Sequence, residues 1–136
     1  MTVRVRYRIE APISSSEDER KDLANPTWEV VTDELDEGGI RKFKLAASAT
    51  DVQLAMGNVQ EGKFIAIRTQ AADENQDPVQ VDIKKNGVGG EAWPIVPIGS
   101  TKEGHFLVST TGVTALYATN TGSVVMDLTL EVAGAD

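Results

Sequence analysis

At 136 residues the chain has the size of one compact domain, and 40% apolar residues are enough to fill a core without disulfide staples. It has no cysteine and a single histidine, His105, which excludes thiolate zinc sites, cysteine nucleophiles and any multi-histidine cage or relay within one chain. A net charge of -8 works against binding of nucleic acid or anionic membranes, and no apolar run approaches the ~20 residues of a membrane span.

The governing pattern is alternation by two. Val3, Val5, Tyr7 and Ile9 share one face of a first segment, with Arg4, Arg6, Arg8 and Glu10 on the other. Successive strand side chains point to opposite sides, so this reads as a strand with one dry and one wet face. Ser14 to Leu23 follows, rich in serine and acids and stopped by Asn25-Pro26. It reads as a solvated loop or, at most, a short helix capped by one of the serines. Short strands are expected over 27–32, 40–47, 52–56 and 64–69. Val79, Val81 and Ile83 then alternate with Gln80, Asp82 and Lys84, and Asn86-Gly87 supplies a hairpin signal because both residues tolerate positive φ. Pro94 and Pro97 make 93–98 an edge or bulged strand, since proline cannot donate to a ladder. Strands over 105–110 and 115–119, a turn at Asn120-Thr121-Gly122, and a last strand with Val124, Met126, Leu128, Leu130 and Val132 on one face complete the chain.

Many short alternating strands with turn residues about every ten positions predict an all-β fold, an antiparallel β-sandwich with a jelly roll as one form of it. Charge of both signs is dense in the first 45 residues, while later residues are richer in Val, Ala, Gly and Thr. This divides the chain into an N-terminal strand and acidic arm, 1–38, and a sandwich core, 39–136.

No constellation supplies a reacting centre. Asp73-Glu74-Asn75-Gln76-Asp77 spaces oxygens as a calcium loop does, but Pro78 stands where the turn glycine belongs and Lys84 where the bidentate glutamate belongs. Asp33-Glu34-Leu35-Asp36-Glu37 has no apolar surroundings to raise a carboxyl pKa for acid catalysis. His105 lacks a serine on a strained elbow, Gly99-Ser100-Thr101 being no substitute, and reads as a half-exposed strand residue. No catalytic residue, cofactor or metal is therefore expected. The informative polar feature is the comb of Arg4, Arg6 and Arg8, about 7 Å apart along one strand face. Its guanidinium forks suit carboxylates, so the comb and the acidic Glu17, Glu19, Asp33 and Asp36 are the candidate contacts between copies. Trp93 is a sandwich-edge plug or, if exposed, a stacking ring for a sugar.

From Asp51 to Gly134, the order of a Gly62-Lys63-Phe64-Ile65-Ala66-Ile67 strand, Val79–Ile83, the proline-punctuated Trp93-Pro94-Ile95-Val96-Pro97-Ile98, Gly104–Val108, Val113–Asn120 and a closing Val124–Gly134 strand resembles small structural proteins of tailed-phage virions. The resemblance implies a capsid decoration, collar or tail accessory protein: non-enzymatic, homo-oligomeric, made in the host cytoplasm and located in the virion. Its implied partners are its own copies and other virion proteins, with no direct nucleic-acid or membrane contact. Loss of 1–38 is expected to leave a folded core and abolish assembly. The competing expectation is a carbohydrate-binding or adhesion module on the same fold class.

Overall fold

The computed structural model describes the backbone of residues 5–7, 13–16, 19–21, 29–31, 37–97 and 102–135, with side chains for 38–97 and 102–135. All regular structure among these residues is β. Four short strands come first: β1 (Val5–Tyr7), β2 (Ile13–Ser16), β3 (Glu19–Lys21) and β4 (Glu29–Val31). Eight more follow as β5 (Glu37–Leu45), β6 (Val52–Leu54), β7 (Glu61–Ala71), β8 (Val81–Lys85), β9 (Trp93–Ile95), β10 (Glu103–Val113), β11 (Leu116–Asn120) and β12 (Met126–Ala135).

The eight later strands form two antiparallel sheets, β10-β7-β12-β5 and β6-β11-β8-β9. Counted from β5, these orders are 6-3-8-1 and 2-7-4-5, the connectivity of a jelly roll. The logic is a single long hairpin rolled up. β5 pairs with β12, β6 with β11, β7 with β10 and β8 with β9, so the pairs nest one inside the next. The tip of the hairpin is the loop opened by Asn86, as its Asn-Gly signal predicts. Asn86 adopts φ 62°. Its Oδ1 accepts from Thr114 N at 2.7 Å and its Nδ2 donates to Gly112 O at 2.7 Å, which pins the β10–β11 turn to the tip.

Alternation decides what fills the space between the sheets. Ile65, Ile67, Leu128, Leu130 and Met126 from one sheet meet Leu54, Val81, Ile83, Ile95, Leu116 and Ala118 from the other, all at most 2% exposed. Each large aliphatic residue so buried contributes about 1.5–3 kcal/mol, so this layer is the main source of stability. Trp93 is the predicted edge plug: β9 is an edge strand, and the indole stacks on Phe106 with centroids 5.2 Å apart.

The early strands form separate ribbons, β1 with β4 and β2 with β3. Here the expectation of a loop or helical turn over 14–23 is corrected at residues 14–16 and 19–21, because Ser16 lies opposite Glu19 in an antiparallel pair, while 17–18 and 22–23 lie outside the described residues. A helix with no apolar face has nothing to pack and does not outlast its nucleation cost. β5 begins at Glu37, whose partner is Gly134, so the sandwich recruits sheet residues slightly ahead of Gly39.

One inner-face group is out of keeping with its surroundings. Thr69 is fully buried and its hydroxyl has no hydrogen-bond partner. A Cβ on Gly104 would lie 2.5 Å from that hydroxyl and 2.7 Å from Ile95, so the glycine is what leaves room for it. Thr69→Val keeps the shape and removes the orphan donor. It is expected to raise stability by about 1 kcal/mol, read from the urea midpoint at unchanged slope.

Candidate functional site

Because the inner faces are consumed by the core, chemistry and recognition fall to the outer faces and edges. The outer face of β10-β7-β12-β5 can be read as rows running straight across the sheet. In chain register, Ser109, Phe64, Ala133 and Gly38 make one row and Leu107, Ala66, Glu131 and Ile40 the next. His105, Arg68, Thr129 and Lys42 follow, then Glu103, Gln70, Asp127 and Lys44. One half of this face is thus mostly apolar, interrupted by Ser109 and Glu131, and the other is polar and charged.

The apolar half departs from the usual wet outer face of an antiparallel sheet. Phe64 points outward yet is 5% exposed, flanked by Gly38, Ile40, Glu131 and Ala133 around a shallow depression. Ile40 and Leu107 are 66% and 47% exposed and stand at opposite edges of the same row. On the charged half, Lys44 Nζ lies 3.7 Å from Asp127 Oδ1, and His105 Nε2 lies 3.2 Å from Glu103 Oε2. These are exposed pairs, worth at most about 1 kcal/mol each.

His105 is where the sequence places it, on a strand and exposed, with Arg68 as its cross-strand neighbour. Ser109 is two rows away, so the described residues bring no serine beside the imidazole. The Asp73–Asp77 string is a turn: Asp73 Oδ1 accepts from Asn75 N at 2.9 Å, and Asp77 pairs with Lys102 at 3.2 Å. On the second sheet's outer face, Asp51 (φ 51°) is clasped by Lys84 Nζ at 3.2 Å and by the Thr119 hydroxyl at 3.3 Å. Lys84 also donates to Val88 O at 2.9 Å, so this polar cluster is engaged with itself.

Arg4, Arg8, Glu17, Asp33 and Asp36 lie outside the described residues. Arg6 and Glu19 are placed only as backbone, opposite Val30 and Ser16 respectively. The predicted arm contacts therefore fall outside the side chains that the structure describes. The apolar row was missed because it depends on strand order. Its signal was present as Phe106-Leu107-Val108, three consecutive apolar residues in which Leu107 must fall on the outer face.

These features define an all-β jelly-roll sandwich with a half-apolar sheet face. Comparison of the chain with protein families, curated proteins and solved structures finds no match.

Proposed function

We propose that this chain is a non-enzymatic structural subunit acting in many copies, of the kind that decorates a capsid or serves as a collar or tail accessory in a tailed-phage virion. The observation that carries this reading is the outer row that leaves Ile40 and Leu107 in solvent on a sheet whose other face is fully committed to the core. They stand at the two open edges of the sheet, where a neighbouring protein would cover each of them. The jelly roll supports the same reading by analogy, since capsid and lectin domains are built on it. The arm carrying Arg4, Arg6 and Arg8 belongs to this proposal as a second contact, reaching acidic residues of neighbouring copies.

A sugar-binding role draws less support. Its best stacking ring, Trp93, is engaged by Phe106 on one side and lies under Lys85 Nζ, 5.4 Å from the ring centroid.

The test is mass in solution by light scattering. A multiple of the 14.6 kDa chain is the expected result, followed by co-sedimentation with emptied capsids or tails. A mass that stays at one chain over the accessible concentration range overturns the reading.

A further inference from the structure

We infer that copies join edge to edge, β5 of one against β10 of the next, in the register that sets Ile40 opposite Leu107. The inference rests on the multicopy reading above and names the surface through which it acts.

Sheet edges are templates for pairing, and proteins that stay apart shorten, charge or block them. The β6-β11-β8-β9 sheet follows that rule, because β6 and β9 have three residues each and β9 contains Pro94. The other sheet carries Lys42 and Lys44 on β5 and a bulge near the end of β10, but its edges are neither shortened nor blocked by proline. Its edge strands are nine and eleven residues long, and among the described residues no backbone hydrogen bond reaches their open sides.

The two open edges match each other in length, direction and chemistry. β10 pairs regularly with β7 from Glu103 to Ser109, and its register then shifts before Val113, with Gly112 at φ 77°. With Ile40 opposite Leu107, those residues meet Lys44 back to Gly38, which fits inside β5. Strand directions alternate across β10-β7-β12-β5, so a β10 added beyond β5 is antiparallel to it and simply continues the sheet. That pairing provides about seven backbone hydrogen bonds between chains.

Side chains favour this register over the alternatives. The two exposed aliphatic residues of the face cover each other. Lys44 meets Glu103 of the next copy while keeping Asp127 on its other side, and Lys42 meets His105. Pairing β5 with a second β5 about Lys42 would set like charges against each other, and pairing it about Ile40 would leave Leu107 in water and Lys44 without Glu103. Pairing β10 with a second β10 would leave Ile40 in water. An edge that meets a different edge is heterologous, so copies add until a ring closes or a filament grows.

The absence of cysteine makes the test clean. Ile40 and Leu107 within one chain are separated by three strand spacings, about 14 Å, too far for an internal disulfide. The full-length Ile40→Cys, Leu107→Cys variant, mildly oxidised, is expected to run as a ladder of multimers on a non-reducing gel. Lys44→Cys with Glu103→Cys should give the same ladder, and Ile40→Cys with Glu103→Cys should give none. Far-UV circular dichroism of each reduced variant confirms the fold. If the unmodified protein assembles by light scattering but neither in-register pair gives a ladder, the edge contact is wrong and the multicopy reading stands. A dimer from Leu107→Cys alone would also overturn it, in favour of two-fold β10 pairing. A single-chain mass for the unmodified protein sinks both.

Discussion

Asn120→Asp should destabilise the fold by more than about 3 kcal/mol at neutral pH, and the loss should grow as pH rises. Asn120 is 1% exposed and sits where two sheet-switching connections meet. Its Nδ2 donates to Val124 O at 2.7 Å and Ala46 O at 3.1 Å, with Leu45 O at 3.4 Å, while its Oδ1 accepts from Gly122 N at 3.1 Å. Its backbone N–H also donates to Ala49 O at 2.8 Å. One amide therefore ties the β5–β6 corner to the β11–β12 corner. A carboxylate there keeps the acceptor and loses both donors, leaving negative oxygen against carbonyl oxygens in a dry site.

Burial and that repulsion raise the folded-state pKa of the new acid above its unfolded value of about 3.9. Below that value both states are protonated, the carboxyl O–H replaces one amide donor, and the variant loses only the other, about 1–3 kcal/mol. Above it, the unfolded chain ionises while the folded one resists, so the penalty rises by about 1.4 kcal/mol per pH unit until the folded pKa is passed. Asn120→Ala has no such group, and its deficit relative to the parent should be flat with pH. Urea unfolding of the three proteins between pH 4 and 8 checks this. Equal pH slopes for the Asp and Ala variants would remove the carbonyl cage from the explanation.

Strand positions and inner-face residues were legible because one-sided burial imposes a period of two that survives in the sequence. β7, β8, β10, β11 and β12 fall where the alternation puts them, and the prolines placed Trp93 at an edge. Residues 14–16 and 19–21 were misread for the opposite reason: polar throughout, they carry no apolar period that a strand could show. The apolar row shows a different limit. Leu107, Ala66 and Ile40 are far apart in the chain and become neighbours only through the order β10-β7-β12-β5, which a local pattern does not encode. Arg4, Arg6 and Arg8 stood out in the sequence because charge contrast is local. Asn120 looked like an ordinary turn residue, since beyond its local bond to Val124 O it reaches carbonyls some seventy-five positions away.

Glycine content posed the same problem, and two substitutions separate its causes. Gly134 and Gly39 both lie in paired strands of one sheet, Gly134 opposite Glu37 and Gly62, and Gly39 opposite Val132. A Cβ built on Gly39 meets nothing within 4 Å. A Cβ on Gly134 would overlap the Glu61 carbonyl and come within 3.1 Å of the Gly62 Cα. Those atoms are backbone, and they lie where the β12–β7 register shifts between Ala133 and Gly134. Relief therefore requires moving a strand rather than turning a side chain. Gly134→Ala is expected to cost about 3 kcal/mol, the upper part of the overpacking range. Gly39→Ala should be neutral or stabilise by about 0.5–1 kcal/mol, because alanine loses less backbone entropy in a strand. Thermal unfolding of both variants decides the matter. If both behaved alike, strand propensity would account for these glycines, and the close approach of β7 to β12 at the bulge would not be what fixes residue 134.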